Sequence, residues 1–173
     1  MYKADSKLTQ EVDAYIRLLF RQEAEKSATT KERFVTGLQG GGAKWALDLI
    51  LKKVELTFSE KLLQLIEAKG RKPAEIYTKA DVTKAHFAKI KANKNYHPSK
   101  ETALALAVAL HLNLEETADL IKRAGYILTH SSESDIIVEF FIERGMYDID
   151  AINSQLYLRG YNTLTNRRNA KSE

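Results

Sequence analysis

The stretch KPAEIYTKADVTKAHFAKIKANKNYHPS, residues 72–99, decides how this chain is read. Pro73 suits the first turn of a helix, where its missing N–H would have no partner in any case. That helix is short, from about Pro73 to Lys79, and gives way to a tight turn around Asp81. Thr83 follows the turn and can cap a second helix running through about Lys91. The second helix has an apolar back (Val82, Phe87, Ile90) and a front of Lys84, Ala85, His86 and Lys89. A helix of this kind packs one side on a small core and can lay the other on nucleic acid.

Working outward, helical signals continue in both directions. Upstream, Thr57-Phe58-Ser59-Glu60 has the spacing of a capping box, and the helix it opens runs through Leu62, Leu63, Leu65 and Ile66 to Gly70, a C-cap. Downstream, Ala92 to Pro98 is a polar loop, and Ser99 can cap a helix with Leu104, Leu106, Ala107 and Leu110 on its apolar side. Asn113 caps the next, from Leu114 to about Ala124, which stops at Gly125. Five helices are therefore predicted between Thr57 and Gly125.

Both flanks add helices to this set. Leu8, Val12, Ile16, Leu19 and Phe20 recur at helical spacing and predict a first helix from about Lys7 to Lys26. A short stretch from Glu32 to Leu38, a joint at Gly40, Gly41 and Gly42, and a helix from Ala43 to about Val54 burying Trp45, Leu47, Ile50 and Leu51 complete residues 1–56. After the five-helix unit (57–126), an extension over 127–160 carries Ile136, Ile137, Phe140, Phe141 and Ile142 up to Gly145, then a short helix from about Ile149 to Leu158. Residues 161–173 are expected to be a disordered basic tail. No alternating pattern of strand length is present, so the expected class is all-α, with helices added at both ends of the central unit.

The overall charge of +4 on 173 residues conceals an uneven distribution. Lys69 to Lys100 holds nine basic residues against Glu75 and Asp81, whereas Glu101 to Leu158 holds three against ten. A basic block beside an acidic one points to a polyanion-binding face on one side of the molecule. A content of 44% hydrophobic and 29% charged residues suits a packed core rather than disorder. With no cysteine there is neither a disulfide scaffold nor a thiolate metal site. No apolar run approaches the ~20 residues needed to span a bilayer, and the first residues lack the apolar centre of a signal peptide, so a cytoplasmic location with no membrane partner is expected.

Residues 57–126 resemble the Cro/repressor-like (XRE-type) helix-turn-helix family. The resemblance rests on AKGRK ending the first helix, Glu75-Ile76 in the second, Val82-Thr83 after the turn, and Phe87 and Ile90 in the third. It continues through NKNYHPSKETALALAVALHLNLEE into the last two helices. Two positions depart from the family pattern: Tyr77 stands where a small alanine is usual, and Asp81 where the turn commonly has glycine. The chain also resembles segments appended to the C-termini of larger bacterial proteins, some of which carry macrodomains.

The repressor-like resemblance implies that the third helix enters the major groove of duplex DNA. Lys84, Ala85, His86 and Lys89 would then face base edges or phosphates, and Thr83 with the helix start would hold a phosphate. Lys91, Lys94, Asn95 and His97 would follow the DNA backbone. The expected function is a small transcriptional regulator, acting as a homodimer because paired half-sites multiply discrimination. The alternative is a non-enzymatic accessory or antitoxin-like protein that uses the same fold to dock a protein or RNA–protein partner, with the N-terminal helix as a further partner surface.

Other constellations are weaker. Gly37 to Lys44 glances at a phosphate loop, but no Ser/Thr follows the lysine and no strand precedes it. His86, His97, His111 and His130 lack metal-ligand spacing, and His111 reads as a helix end. Glu139 and Glu143 share a helix face at i,i+4, but without a nucleophile or base beside them they read as acidic surface. No catalytic residue, cofactor or metal is expected, and the chain is not read as an enzyme.

Overall fold

A computed structural model of the chain describes residues 5–30 and 55–165, with the backbone alone over 20–30. The expected helices at 32–38 and 43–54, the glycine joint, the loop at 37–44 and the last part of the tail lie outside the described residues. Those described are all-helical, with no strand. The elements are α1 (Ser6–Thr30), α2 (Phe58–Ala68), α3 (Pro73–Lys79), α4 (Lys84–Ala92), α5 (Lys100–Ala109), α6 (Leu114–Arg123), α7 (Glu133–Glu143) and α8 (Ile149–Leu158). None of these helices is long and apolar enough to cross a membrane.

Each predicted cap has a physical counterpart. Thr57 and Glu60 form the reciprocal capping box: the Glu60 amide donates to the Thr57 hydroxyl at 3.4 Å and the Thr57 amide to the Glu60 carboxylate at 3.1 Å. Asn113 and Glu116 do the same for α6 at 2.8 and 3.0 Å. The hydroxyls of Thr83 and Ser99 accept from His86 and Thr102 amides at 3.1 and 3.2 Å. Side chains thereby satisfy amides that the first helical turn leaves without carbonyl partners.

The helix ends repeat one geometry. After α2, Gly70 takes φ +61°, the Arg71 amide returns to the Ile66 carbonyl at 3.0 Å and the Gly70 amide to Glu67 at 2.9 Å. This is the Schellman motif. The same pair of bonds closes α3 around Asp81 (φ +51°) and α5 around His111 (φ +52°), two non-glycine residues in the left-handed region. Aspartate tolerates that conformation better than most residues because its short polar side chain can bond locally. The turn between α3 and α4 is thus fixed by Val82 donating to the Tyr77 carbonyl at 2.8 Å.

One core runs through all the described helices. In α5, every residue from Ala103 to Ala109 is buried, since α3, α6 and α8 surround it. Phe140 and Phe141 are fully buried together with Phe58, Leu62 and Leu106, so the expectation that Phe140, Phe141 and Ile142 are only partly core is corrected: all three are buried. Helix α1 lays Val12, Ile16 and Leu19 against α7. It extends to Thr30, one turn beyond the predicted end. The stripe expected to serve partly as a partner surface is covered, although Leu18 beside it is 51% exposed.

A buried ion pair joins the extension to the central helices. Lys100, at the start of α5, bonds both oxygens of Asp135 on α7 at 2.6 and 2.7 Å. The Thr129 amide donates to the same carboxylate at 3.0 Å, and the Asp135 side chain is 4% exposed. Arg159 at the end of α8 pairs with Asp13 on α1 and with Glu133 on α7, at 3.4 Å to the latter.

The expected start of the tail at residue 161 is corrected. Leu164 and Thr165 are buried against α8. Asn153 holds them from both sides of its amide: its nitrogen donates to the Thr165 hydroxyl at 3.0 Å and its oxygen accepts from the Leu164 amide at 2.8 Å. One apolar side chain in TLTNRR, distant in sequence from its pocket, is enough to order these residues.

Candidate nucleic-acid interface

Helix α4 is placed by its apolar side. Phe87 and Ile90 are buried against the core, and Phe87 lies 5.5 Å from the Tyr77 ring of α3, so the tyrosine found in place of a small residue packs as a spacer between the two helices. Lys84, Ala85, Ala88, Lys89, Lys91 and Ala92 are exposed. At 3.6 residues per turn these six occupy an arc of roughly 160°. Within that arc Ala85, Ala88 and Ala92 make a floor of small side chains, with Lys84 and Lys91 on one edge and Lys89 on the other. Such a face can approach a groove closely while cations on both edges reach the flanking phosphates. Ala88 and Ala92 were not among the expected site residues; their spacing from Ala85 is the signal that could have found them.

The remaining expected site residues divide. Thr83 caps α4, so its oxygen is engaged by the His86 amide. His86 is half-buried, with Nε2 2.9 Å from the Tyr96 hydroxyl and its ring 5.8 Å from that of Tyr96. It therefore braces the following loop as well as lining the front of the helix. Asn95 and His97 are exposed on that loop, and the Asn95 amide donates to the Asn93 side chain at 3.0 Å.

Lys94 is exposed but pairs with Glu60 at 2.8 Å. Two other cations of the basic block, Arg71 and Lys79, share Glu75 at 2.9 and 3.2 Å. Among the described residues Lys84, Lys89 and Lys91 make no ion pair, so the uncommitted charge gathers on α4.

Glu60 receives bonds from Lys94 and from both the amide and the hydroxyl of Thr57, and these draw its pKa from 4.5 down to about 2. The carboxylate is thus ionised in the fold at pH values where the unfolded chain has already protonated it. Its contribution to stability is complete above pH 4.5 and is lost as the pH falls towards 2. Urea unfolding across this range should show a shallower loss of stability for Glu60→Gln than for the parent, with the two curves meeting near pH 2. Parallel curves would show that the cap and the Lys94 pair do not govern the acid limb.

Glu139 and Glu143 are not the acidic surface pair expected. Glu139 is 6% exposed, and His130 Nε2 lies 3.0 Å from both its oxygens. The Tyr15 hydroxyl of α1 donates to Glu143 and, at 3.4 Å, to Glu139. Burial first, and then the two carboxylates, hold the Tyr15 hydroxyl far above its ordinary pKa. Arg144 covers the Phe140 ring at 3.9 Å. With its acceptors occupied, Glu139 anchors α1 to α7. Among the described residues no group of His, Asp and Glu is arranged to hold a metal ion.

Compared with protein-family models, with curated proteins and with solved structures, the chain matches none.

Proposed function

We propose that this protein binds duplex DNA through α4, with α3 and α4 working as a repressor-type helix-turn-helix. The observation that carries the reading is the alanine-floored, lysine-edged face of α4, whose cations are free of ion pairs while those around it are neutralised. The charge block of the sequence and the capped turn at Asp81–Thr83 support it. In this reading the protein is a small cytoplasmic transcriptional regulator, non-enzymatic and without cofactor, which engages paired half-sites as a homodimer. The face offers lysine but no arginine, the usual reader of guanine, so phosphate contacts dominate and base discrimination by α4 alone is modest.

A fluorescence-anisotropy titration against random-sequence duplex at ~50 and ~200 mM salt tests this. Three phosphate contacts per protomer give a salt slope of about −2.7, so affinity should fall roughly 40-fold across that interval. Absence of binding at both salt concentrations would overturn the reading and leave docking of a protein or RNA–protein partner as the use of this face.

A further inference from the structure

The geometry points to a second DNA-contacting element: residues 166–173 form a basic arm that engages the same duplex beside α4. This inference rests on the DNA-binding reading above. Its starting point is the clasp on α8. Asn153, fully buried, fixes Leu164 and Thr165, and the Thr163 hydroxyl donates to the Thr165 carbonyl at 2.8 Å. The direction in which the chain leaves the body is therefore set.

That exit point lies at the candidate interface. Asn162 to Thr165 form one wall of a cleft whose opposite wall includes Asp81, Thr83 and His86, the turn before α4 and its first turn. In a helix that enters a groove by its N-terminal residues, this is the end nearest the bases. The clasp delivers the residues after Thr165 to the edge of the proposed groove contact.

Those residues read NRRNAKSE, three cations against one acid, with no side chain larger than alanine among the apolar ones. Such a segment has nothing to bury and suits a polyanion. Arg159 does not belong to it, because Asp13 and Glu133 hold that guanidinium. Eight residues reach up to about 27 Å when extended, more than the ~12 Å width of a major groove. The segment also supplies what α4 lacks. Arg167 and Arg168 are the residue type that reads guanine edges and inserts into narrow minor grooves.

The test is the full-length variant Arg167→Gln/Arg168→Gln/Lys171→Gln, titrated beside the parent against random duplex at ~50 and ~200 mM salt. The arm predicts more than tenfold weaker binding at the lower salt and a salt slope smaller in magnitude by about 2 to 3. Helical circular dichroism and melting should be unchanged. Equal affinity and slope in the two proteins would overturn the arm while leaving α4 as the DNA-binding element. Tighter binding by the variant would also overturn it, marking the segment as a cover over α4. If the parent itself binds no duplex, the DNA reading falls and the arm falls with it.

Discussion

Reversing two charges, Lys84→Glu with Lys89→Glu, is expected to abolish binding to duplex DNA while leaving the fold intact. The two lysines stand on opposite edges of the exposed face of α4, so their loss removes phosphate contacts from both sides of the proposed groove contact. Each contact removed takes about 0.9 from the salt slope, and each new carboxylate repels the phosphate it replaces. Together these should weaken binding more than 100-fold at ~50 mM salt, an order-of-magnitude expectation for two lost contacts and two repulsions. Stability should barely change: both side chains are exposed, and surface substitutions of this kind usually stay within about 0.5 kcal/mol. A glutamate at position 84, in the first turn of α4, even suits the positive end of the helix dipole. Anisotropy and circular dichroism on the same preparation separate the two effects. A double variant that binds as tightly as the parent would show that α4 is not the interface.

The largest loss of stability is expected at Lys100, through Lys100→Met. The substitution preserves much of the side-chain volume but strands the Asp135 carboxylate, buried on α7, with only the Thr129 amide as donor. Removing one partner of a buried pair costs about 3–5 kcal/mol, because the charge left behind is neither solvated nor matched. For a chain of this size that corresponds to a melting temperature roughly 6–20 °C lower. Adding Asp135→Asn should restore most of the loss, since the amide oxygen still accepts from Thr129 and no charge remains. Urea unfolding of the parent, the single variant and the double variant provides the check. A cost under about 1 kcal/mol for the single variant would mean that apolar packing alone holds α7 to α5.

Residue patterns anticipate the local parts of this structure and miss the distant ones. Thr57, Thr83, Ser99 and Asn113 cap helices because capping needs partners only three residues away, which a sequence displays directly. Asp81 and His111 as left-handed helix ends were legible from position, although neither is glycine. Asp135 and Glu139 were not legible as buried groups. Periodicity shows which side of α7 is apolar, but the partners that make burial of a carboxylate tolerable are Lys100 at the start of α5 and His130 in the preceding loop. Tyr15 comes from another element altogether. The ordering of Leu164 depends likewise on Asn153, which gives no local sign of its role.

The candidate site divides along the same line. The exposed lysines of α4 follow from helical spacing alone. The engagement of Lys94 by Glu60 and of His86 by Tyr96 depends on how the loop after α4 folds back, and single-residue chemistry carries no trace of it.

The pairing of Lys94, Arg71 and Lys79 with acidic neighbours bears on time as well as affinity. In the DNA-binding reading, a face with three free lysines displaces few counterions from a duplex, so little is undone when it departs. Each visit to an arbitrary sequence is then brief, and the protein samples many sites in the interval that a more highly charged surface would spend on one. Long occupancy is left to sites where two copies, or the helix and a second contact on the same chain, must let go together.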